Sequence, residues 1–287
     1  LSSGRRPRCG PTVQTLAEMN TPRLQILIST FAADGLHRVA AMNLPELDGI
    51  GYIVSCQDPE RTVSDPAAIL PPRRDLKLYM HSDRGLGLNR SHALGHAEAE
   101  FVLLADDDLQ YSADGLARAL QAMEEHPGTD IFAFRYSGAD NKLYPPDMHD
   151  LSKPFKGYNF TSFELAFRLK AIRDRKLDFS PLTGVGAPYL TAAEESIFAE
   201  RCLQQGLRGL FIPLTIVCHP GLTTGYRLAS SAGFVRSTAA YIYVKYGIVS
   251  GVARCLLLAA RVPLPYPRAL VYALQGMAYA VKHRREL

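Results

Sequence analysis

Three consecutive carboxylates, Asp106-Asp107-Asp108, end the apolar run Phe101-Val-Leu-Leu-Ala. An apolar run of that length with a polar break reads as a buried strand. Adjacent acids repel one another, so the cluster is costly unless a cation or hydrogen-bond donors compensate it. Hard divalent cations such as Mn²⁺ or Mg²⁺ favour carboxylate oxygen, and open α/β sheets bind ligands at the carboxyl ends of their strands. The triplet is therefore a candidate metal site. The plainer alternative is a solvated acidic turn with Asp108 or Ser112 capping the next helix.

Two further groups bear on that choice. Arg84 and Arg90 belong to a glycine-bearing turn, Ser82-Asp-Arg-Gly85-Leu-Gly87-Leu-Asn89-Arg90, and offer fixed positive charge to a pyrophosphate. Glu194-Glu195 follow a second glycine loop, Gly184-Val-Gly186, and offer a carboxylate that can take a proton from a hydroxyl. Their alternative role is to complement the positive end of a helix. Together these are the parts for displacing a nucleoside diphosphate from a sugar. The metal would act as a Lewis acid on the leaving group, and the glycosyl centre would pass through an oxocarbenium-like state.

The elements that must position these groups follow from the pattern. Strands are expected at 24–30, 50–56, 76–81, 101–106 and 130–136, with helices at 35–44, after Gly85, and at 113–125. Strands alternating with helices imply βαβ units and a mainly parallel sheet. Residues 57–75 and 137–160 are rich in loop-forming residues, and the second stretch has the length of a lid or binding loop. A strand at 163–167 and a short basic helix at 169–176 follow. Helix 194–205 stops at Gly206, a fitting helix-end glycine. A strand over 207–216 is expected to break at Val217-Cys-His-Pro-Gly221. The tail reads as three helices, 234–246, 248–261 and 268–282. In the last, Leu270, Leu274, Met277 and Val281 share one face, a pattern for packing on protein or lying on a membrane surface.

Composition narrows the class. The chain has 287 residues, 47% of them hydrophobic, and a formal net charge of +4. The excess positive charge sits at the ends, with no basic stripe of the kind that nucleic-acid binding needs. The five cysteines form no CxxC pair, so free thiols in a reducing compartment are expected. Residues 1–18 carry no apolar signal core and are expected to be a disordered extension. Arg254 interrupts the best apolar run, 247–260, below the roughly 18 residues of a spanning helix. His37, His81, His92, His96, His126 and His149 read as structural or exposed.

On these motifs the sequence resembles the family 2 glycosyltransferases of the GT-A fold, in particular those of bacterial surface-polysaccharide synthesis. The resemblance rests on Leu24–Phe31, on Arg84-Gly-Leu-Gly-Leu-Asn-Arg90, on Leu103-Leu-Ala-Asp106-Asp-Asp108, and on Gly184-Val-Gly-Ala-Pro-Tyr189 leading to Glu194-Glu195-Ser-Ile-Phe198. It spans roughly residues 24–246. It implies a Rossmann-like nucleotide-binding sheet at 22–136, an acceptor half at 137–228, and a helical region at 229–287. Asp106 and Asp108 match the DxD motif, with Asp108 the direct ligand of Mn²⁺ or Mg²⁺ and His219 a third one. Thr30, Phe31, Asp58, Arg84, Arg90 and Asp107 would contact the nucleotide-sugar donor, Asp58 through the base. Thr223, Thr224, Tyr226 and Arg227 would close over the diphosphate.

The family's usual Glu-Asp pair is Glu-Glu here, making Glu195 the expected base with Glu194 as the alternative. The implied reaction is inverting transfer from a UDP-sugar to a saccharide or lipid-linked saccharide. The implied location is the cytoplasm, with peripheral contact to the inner face of the membrane through the C-terminal helices. A nucleotidyltransferase and a non-catalytic nucleotide-sugar-binding protein are the rival readings.

Overall fold

The structure is a computed structural model and describes residues 21–139, 142–156, 158–221 and 230–287. The segment 1–18 and the residues 223, 224, 226 and 227 lie outside it. A nine-stranded sheet carries the fold, in the order β3-β2-β1-β4-β8-β6-β9-β5, with β7 paired to β9. Its strands are β1 (Leu24–Phe31), β2 (Ile50–Gln57), β3 (Leu76–His81), β4 (Phe101–Asp106), β5 (Gln110–Tyr111), β6 (Ile131–Gly138), β7 (His149–Asp150), β8 (Leu165–Arg168) and β9 (Gly209–His219). The helices are α1 (Ala32–Ala41), α2 (Pro66–Ile69), α3 (Leu86–His96), α4 (Ala113–Glu124), α5 (Leu169–Asp174), α6 (Glu194–Gln204), α7 (Ala232–Ala259) and α8 (Tyr266–Lys282).

β1 to β4 pair in parallel, and so do β6 and β9. β8 runs antiparallel to both β4 and β6, so those two blocks point the same way. The sheet is thus mainly parallel, as expected. β1 and β2 are buried along almost their whole length, the burial of a sheet covered on both faces. Successive side chains alternate between faces. Ile26 and Ile28 pack with Leu36 of α1 and Leu116 of α4, while Leu27 packs with Leu94 of α3 and Phe198 of α6.

This topology gathers the chemistry-bearing residues. β1 and β4 lie side by side with Ser29 opposite Asp106, so Thr30, Phe31 and the acidic triplet leave the sheet at one edge. Gly87 lets α3 approach the backbone at Ser180 and Thr183 closely. A Cβ there would fall 2.2 Å from the Ser180 carbonyl oxygen, a contact that no side chain tolerates.

Several expectations change. β9 does not break at Val217 but runs on through His219. The register between β6 and β9 shifts around Ala133 and Arg135, and Pro213 falls in that irregular stretch, where its missing N–H costs no ladder bond. The boundary between the first two tail helices falls where expected: α7 is two helical segments joined at a kink, with Gly247 out of helical geometry at φ 69°. On α8 the buried face is Ala269, Ala273, Gly276, Met277 and Ala280, while Leu274 is exposed. Gly276 sits against the Arg236 backbone of α7, where a Cβ would meet its oxygen at 2.2 Å. The crossing needs small residues, so size rather than hydrophobicity selects the packed face.

The long 137–160 stretch is anchored through Lys142. Its ammonium pairs with Glu164, which is fully buried, and also receives support from Thr161 Oγ1 and from the rings of Tyr136, Tyr144 and Tyr158. Removing one partner of a buried ion pair leaves the other charge uncompensated. Glu164→Ala should therefore cost about 3–5 kcal/mol of stability, read as a lower denaturant midpoint at unchanged slope.

Candidate active site

A cleft of about 1170 Å³ opens at the sheet edge where β1 and β4 end. Its lining includes Thr30, Phe31, Arg84, Arg90, all three acids of the triplet, Glu194, Glu195 and His219. Residues up to 189 positions apart thus meet at one place. Asp58 is not among the lining residues.

Arg90 is the hub. It is 2% exposed, and its Nη2 donates to Asp106 Oδ1 at 3.0 Å and lies 3.4 Å from Glu194 Oε1. Asp106 opens to the cleft but is enclosed by protein on its other sides. That burial raises its pKa, against the pull of Arg90. Ser162 Oγ, at the start of the 3-10 turn before β8, donates to Asp106 Oδ2 at 3.1 Å.

The three acids of the triplet separate in role. Asp107 turns back toward α1. It accepts two bonds from Arg38, Nε to Oδ1 and Nη2 to Oδ2, both at 2.9 Å, and one from Thr30 Oγ1 at 2.5 Å. Asp108 is exposed on the cleft side, and its Oδ2 lies 3.6 Å from His219 Nε2. His219 Nδ1 is 2.6 Å from the Gly221 carbonyl oxygen. A carbonyl only accepts, so Nδ1 carries a proton, and Nε2 is the ring atom turned toward Asp108. The ring is stacked on Phe163 with centroids 5.3 Å apart. An imidazole oriented by a carbonyl, facing a carboxylate at a separation a cation can bridge, is a fitting donor set for a divalent metal. Asp108 and His219 fit that group, with Asp106 lining the same cleft. Of the two caps offered for α4, the structure uses Ser112, whose Oγ accepts from the Gly115 amide, so Asp108 is not the cap.

Glu194 and Glu195 open α6. The residue before them, Ala193, is left-handed at φ 67°. A non-glycine residue there is strained, and the turn aims both acids into the cleft. Gly184, at φ 97°, leaves room for Glu194. A Cβ on it would meet Leu86 Cβ at 3.0 Å and the Glu194 carboxylate at 3.1 Å. Burial raises the pKa of Glu194, and repulsion from Glu195 adds to it against Arg90. Burial likewise raises Glu195, again against Arg90. The two acids differ in their partners: Glu194 faces Arg90, whereas Glu195 accepts from Ser196 Oγ at 3.2 Å.

Phe31 is half-exposed in the cleft with the Arg84 guanidinium 5.8 Å from its ring centre. Arg84 also pairs with Glu60 at 3.2 Å. Asp58 is occupied within its own turn, accepting from the amides of Thr62 and Val63 and from the Thr62 hydroxyl at 2.8–2.9 Å. Burial works to raise its pKa, but these donors outweigh it, and the carboxyl sits below its usual range. The turn-cap geometry before Val63 is what the structure gives it, in place of an approach to the cleft.

Arg38, Ser162 and Phe163 escape a sequence reading, as do the α7 residues Phe234, Thr238 and Tyr241, which close one side of the cleft. Arg38 on α1 is a basic residue among many. Only its place about two turns along the helix that follows β1 hints at a role.

Residues 61–189 match the family model described as Glycosyl transferase family 2. No curated protein matches the chain. Similar solved structures include S. aureus TarS 1-349, at 16% identity over 91% of this chain and 82% of that one, with a TM-score of 0.58. The same TarS fragment in complex with UDP-GlcNAc is 14% identical over 92% and 91%, with a TM-score of 0.55. The mannosyltransferase PcManGT from Pyrobaculum calidifontis, in complex with GDP-Man and Mn²⁺, is 17% identical over 92% and 76%, with a TM-score of 0.53. The matched segment holds Arg90 and the triplet, and it ends before Glu194 and His219. Residues 61–189 are thus similar to glycosyl transferase family 2, and the sheet with its C-terminal helices shares the fold of these glycosyltransferase structures.

Proposed function

We propose that the cleft binds a nucleoside-diphosphate sugar, in first place a UDP-sugar, and transfers its glycosyl group to an acceptor hydroxyl with inversion. The observation that carries this is the juxtaposition of Asp106, Asp108 and His219 with Arg90, Glu194 and Glu195 in one cleft. UDP and UDP-GlcNAc in TarS, and GDP-Man with Mn²⁺ in PcManGT, support the donor class.

The residues divide the work. Phe31 offers a ring face to the nucleotide base, with Arg84 beside it. Asp108, Asp106 and His219 hold Mn²⁺ or Mg²⁺. When bound, the metal supplies Lewis-acid stabilisation of the leaving diphosphate. Arg90 fixes Asp106 and Glu194 in place and adds positive charge nearby. Glu195, whose side chain accepts from Ser196 rather than pairing with Arg90, takes the proton of the attacking hydroxyl. Inversion follows from a single displacement, which needs one base and no covalent nucleophile. Phe234, Thr238 and Tyr241 of α7 form the acceptor side.

The acceptor proposed is a saccharide or lipid-linked saccharide of bacterial polysaccharide or glycolipid synthesis. The C-terminal helices suit a lipid-proximal substrate. α7 is apolar and mostly unburied, but the kink at Gly247 divides it into two segments each shorter than a membrane-spanning helix. Val249, Val252 and Leu257 of α7 and Val271 and Leu274 of α8 are exposed, alongside exposed Arg254, Arg261 and Arg268. An exposed apolar face with arginines suits peripheral contact with an anionic membrane.

The test is turnover of a panel of nucleotide sugars with Mn²⁺. Release of the nucleoside diphosphate is expected, falling by about 100-fold or more in Asp108→Ala. Pyrophosphate release from a nucleoside triphosphate and a sugar phosphate would instead show a nucleotidyltransferase. Binding with no turnover of any sugar would show a non-catalytic protein.

A further inference from the structure

We propose that His81, Asp83 and His92 form a second cation site, for Zn²⁺ or a similar transition-metal ion, made of none of the acids of the cleft. Among the described residues, these three bring their ligand atoms within 4.8 Å of one another. None of them lines the cleft.

The proton positions follow from a chain of hydrogen bonds. Asn89 Nδ2 donates to the Thr30 carbonyl oxygen at 3.0 Å. That fixes the amide, and Asn89 Oδ1 is left as an acceptor. His81 Nε2 lies 3.1 Å from it and 3.2 Å from Ser55 Oγ. His81 Nε2 must therefore carry the proton, and its Nδ1 presents a bare lone pair. That Nδ1 is buried and has no hydrogen-bond partner. It faces Asp83 Oδ2 at 4.0 Å. Two acceptors thus point at each other, and a buried acceptor without a donor is costly.

The third residue adjoins the same carboxylate, where its Nε2 donates to Asp83 in the metal-free form and gives up that proton to a cation. His92 Nε2 lies 2.7 Å from the same Asp83 oxygen, and the two imidazole rings are 4.1 Å apart at their centroids. In a tetrahedral zinc site with bonds of about 2.1 Å, ligand atoms lie about 3.4 Å apart. The separations of 2.7 and 4.0 Å bracket that value, so a small shift of half-exposed Asp83 completes the set. Two imidazoles and one carboxylate select a borderline-soft ion over Mg²⁺. Asn89 and Ser55 then serve as the outer partners that orient a ligating histidine. Burial also lowers the pKa of His81 and keeps it neutral, as a ligand must be.

The site has a structural consequence. It ties the end of β3 to α3 across the loop that carries Arg84 and Gly85 into the cleft. Gln57 Nε2 already holds that loop through the carbonyls of Asp83 and Gly85, at 3.1 and 2.9 Å. A cation there is a staple on the loop, independent of the chemistry proposed for the cleft.

Titration of tag-free full-length protein with Co²⁺ under saturating Mg²⁺ tests the site, because cobalt bound to nitrogen in a low-symmetry site absorbs in the visible. One equivalent of visible-absorbing Co²⁺ is expected, displaced by Zn²⁺. His92→Ala and Asp83→Ala, at half-exposed positions, should weaken it by at least about 100-fold, while Asp108→Ala keeps it. Circular dichroism confirms folding of each variant. Absence of the Co²⁺ band in wild-type protein, its persistence in His92→Ala, or its loss in Asp108→Ala alone would each overturn the proposal.

Discussion

Glu195→Gln is expected to lose about 10²- to 10⁴-fold in kcat, the usual worth of a positioned general base. The substitution keeps the side chain's size and its bond with Ser196, and removes only the capacity to take a proton. Donor binding, measured as the Kd for the nucleotide, should stay within a fewfold of wild type. The pH profile adds an independent check. Burial raises the pKa of Glu195, and the base works only when deprotonated. Activity should therefore fall as pH drops through a value above the ordinary glutamate pKa of about 4.3. Glu194→Gln should behave differently, since that carboxylate faces Arg90. Its loss should weaken donor binding and stability more than it alters the acid limb. A Glu194→Gln variant that loses the limb while Glu195→Gln retains it would exchange the two roles.

The largest effect on stability is expected from Arg90→Met. The guanidinium is almost fully buried and bridges Asp106 and Glu194. Removing one partner of a buried charge network costs about 3–5 kcal/mol. The sign of its pH dependence follows from linkage. Arg90 opposes the raised pKa values of Asp106, Glu194 and Glu195, so without it all three rise further. The penalty is largest above about pH 8, the value to which Glu194 is already raised, where folding must hold all three charged. It shrinks as pH falls through their raised values and they take up protons. The gap in unfolding temperature between variant and wild type should therefore narrow on the acid side. A small gap that does not change with pH would contradict the role of Arg90 as the hub.

What the sequence makes legible here is local. The run Phe101 to Ala105 is β4 because an apolar stretch of that length, ended by charge, has few other stable forms. Helix α6 is readable from its acids at one end and Gly206 at the other. The C-terminal helices are readable from length and spacing, but not their packed faces. On α8 the close approach to Arg236 selects Ala273 and Gly276 over Leu274, and no periodicity of hydrophobicity encodes an approach distance. The division of labour within the triplet is hidden for a similar reason. Asp107 is occupied by Arg38, 69 positions away, and Asp106 by Ser162, 56 positions away. Those partners are common residue types without a motif. The end of β9 at His219 is obscured by Pro220-Gly221, a turn signal that reads as a break three residues before the strand stops. Asp58 shows the reverse case: a motif-like position whose local turn hydrogen bonds take up both carboxylate oxygens.

The central claim is that Asp108 and His219, on neighbouring strand ends, hold the cation that meets the donor diphosphate. Crystals soaked with Mn²⁺ and UDP test it most directly, through anomalous difference density at the manganese edge. The account predicts a peak between Asp108 and His219, bridged to the diphosphate oxygens. Diphosphate bound in the cleft with no manganese at those two residues, or manganese held only elsewhere, would contradict it.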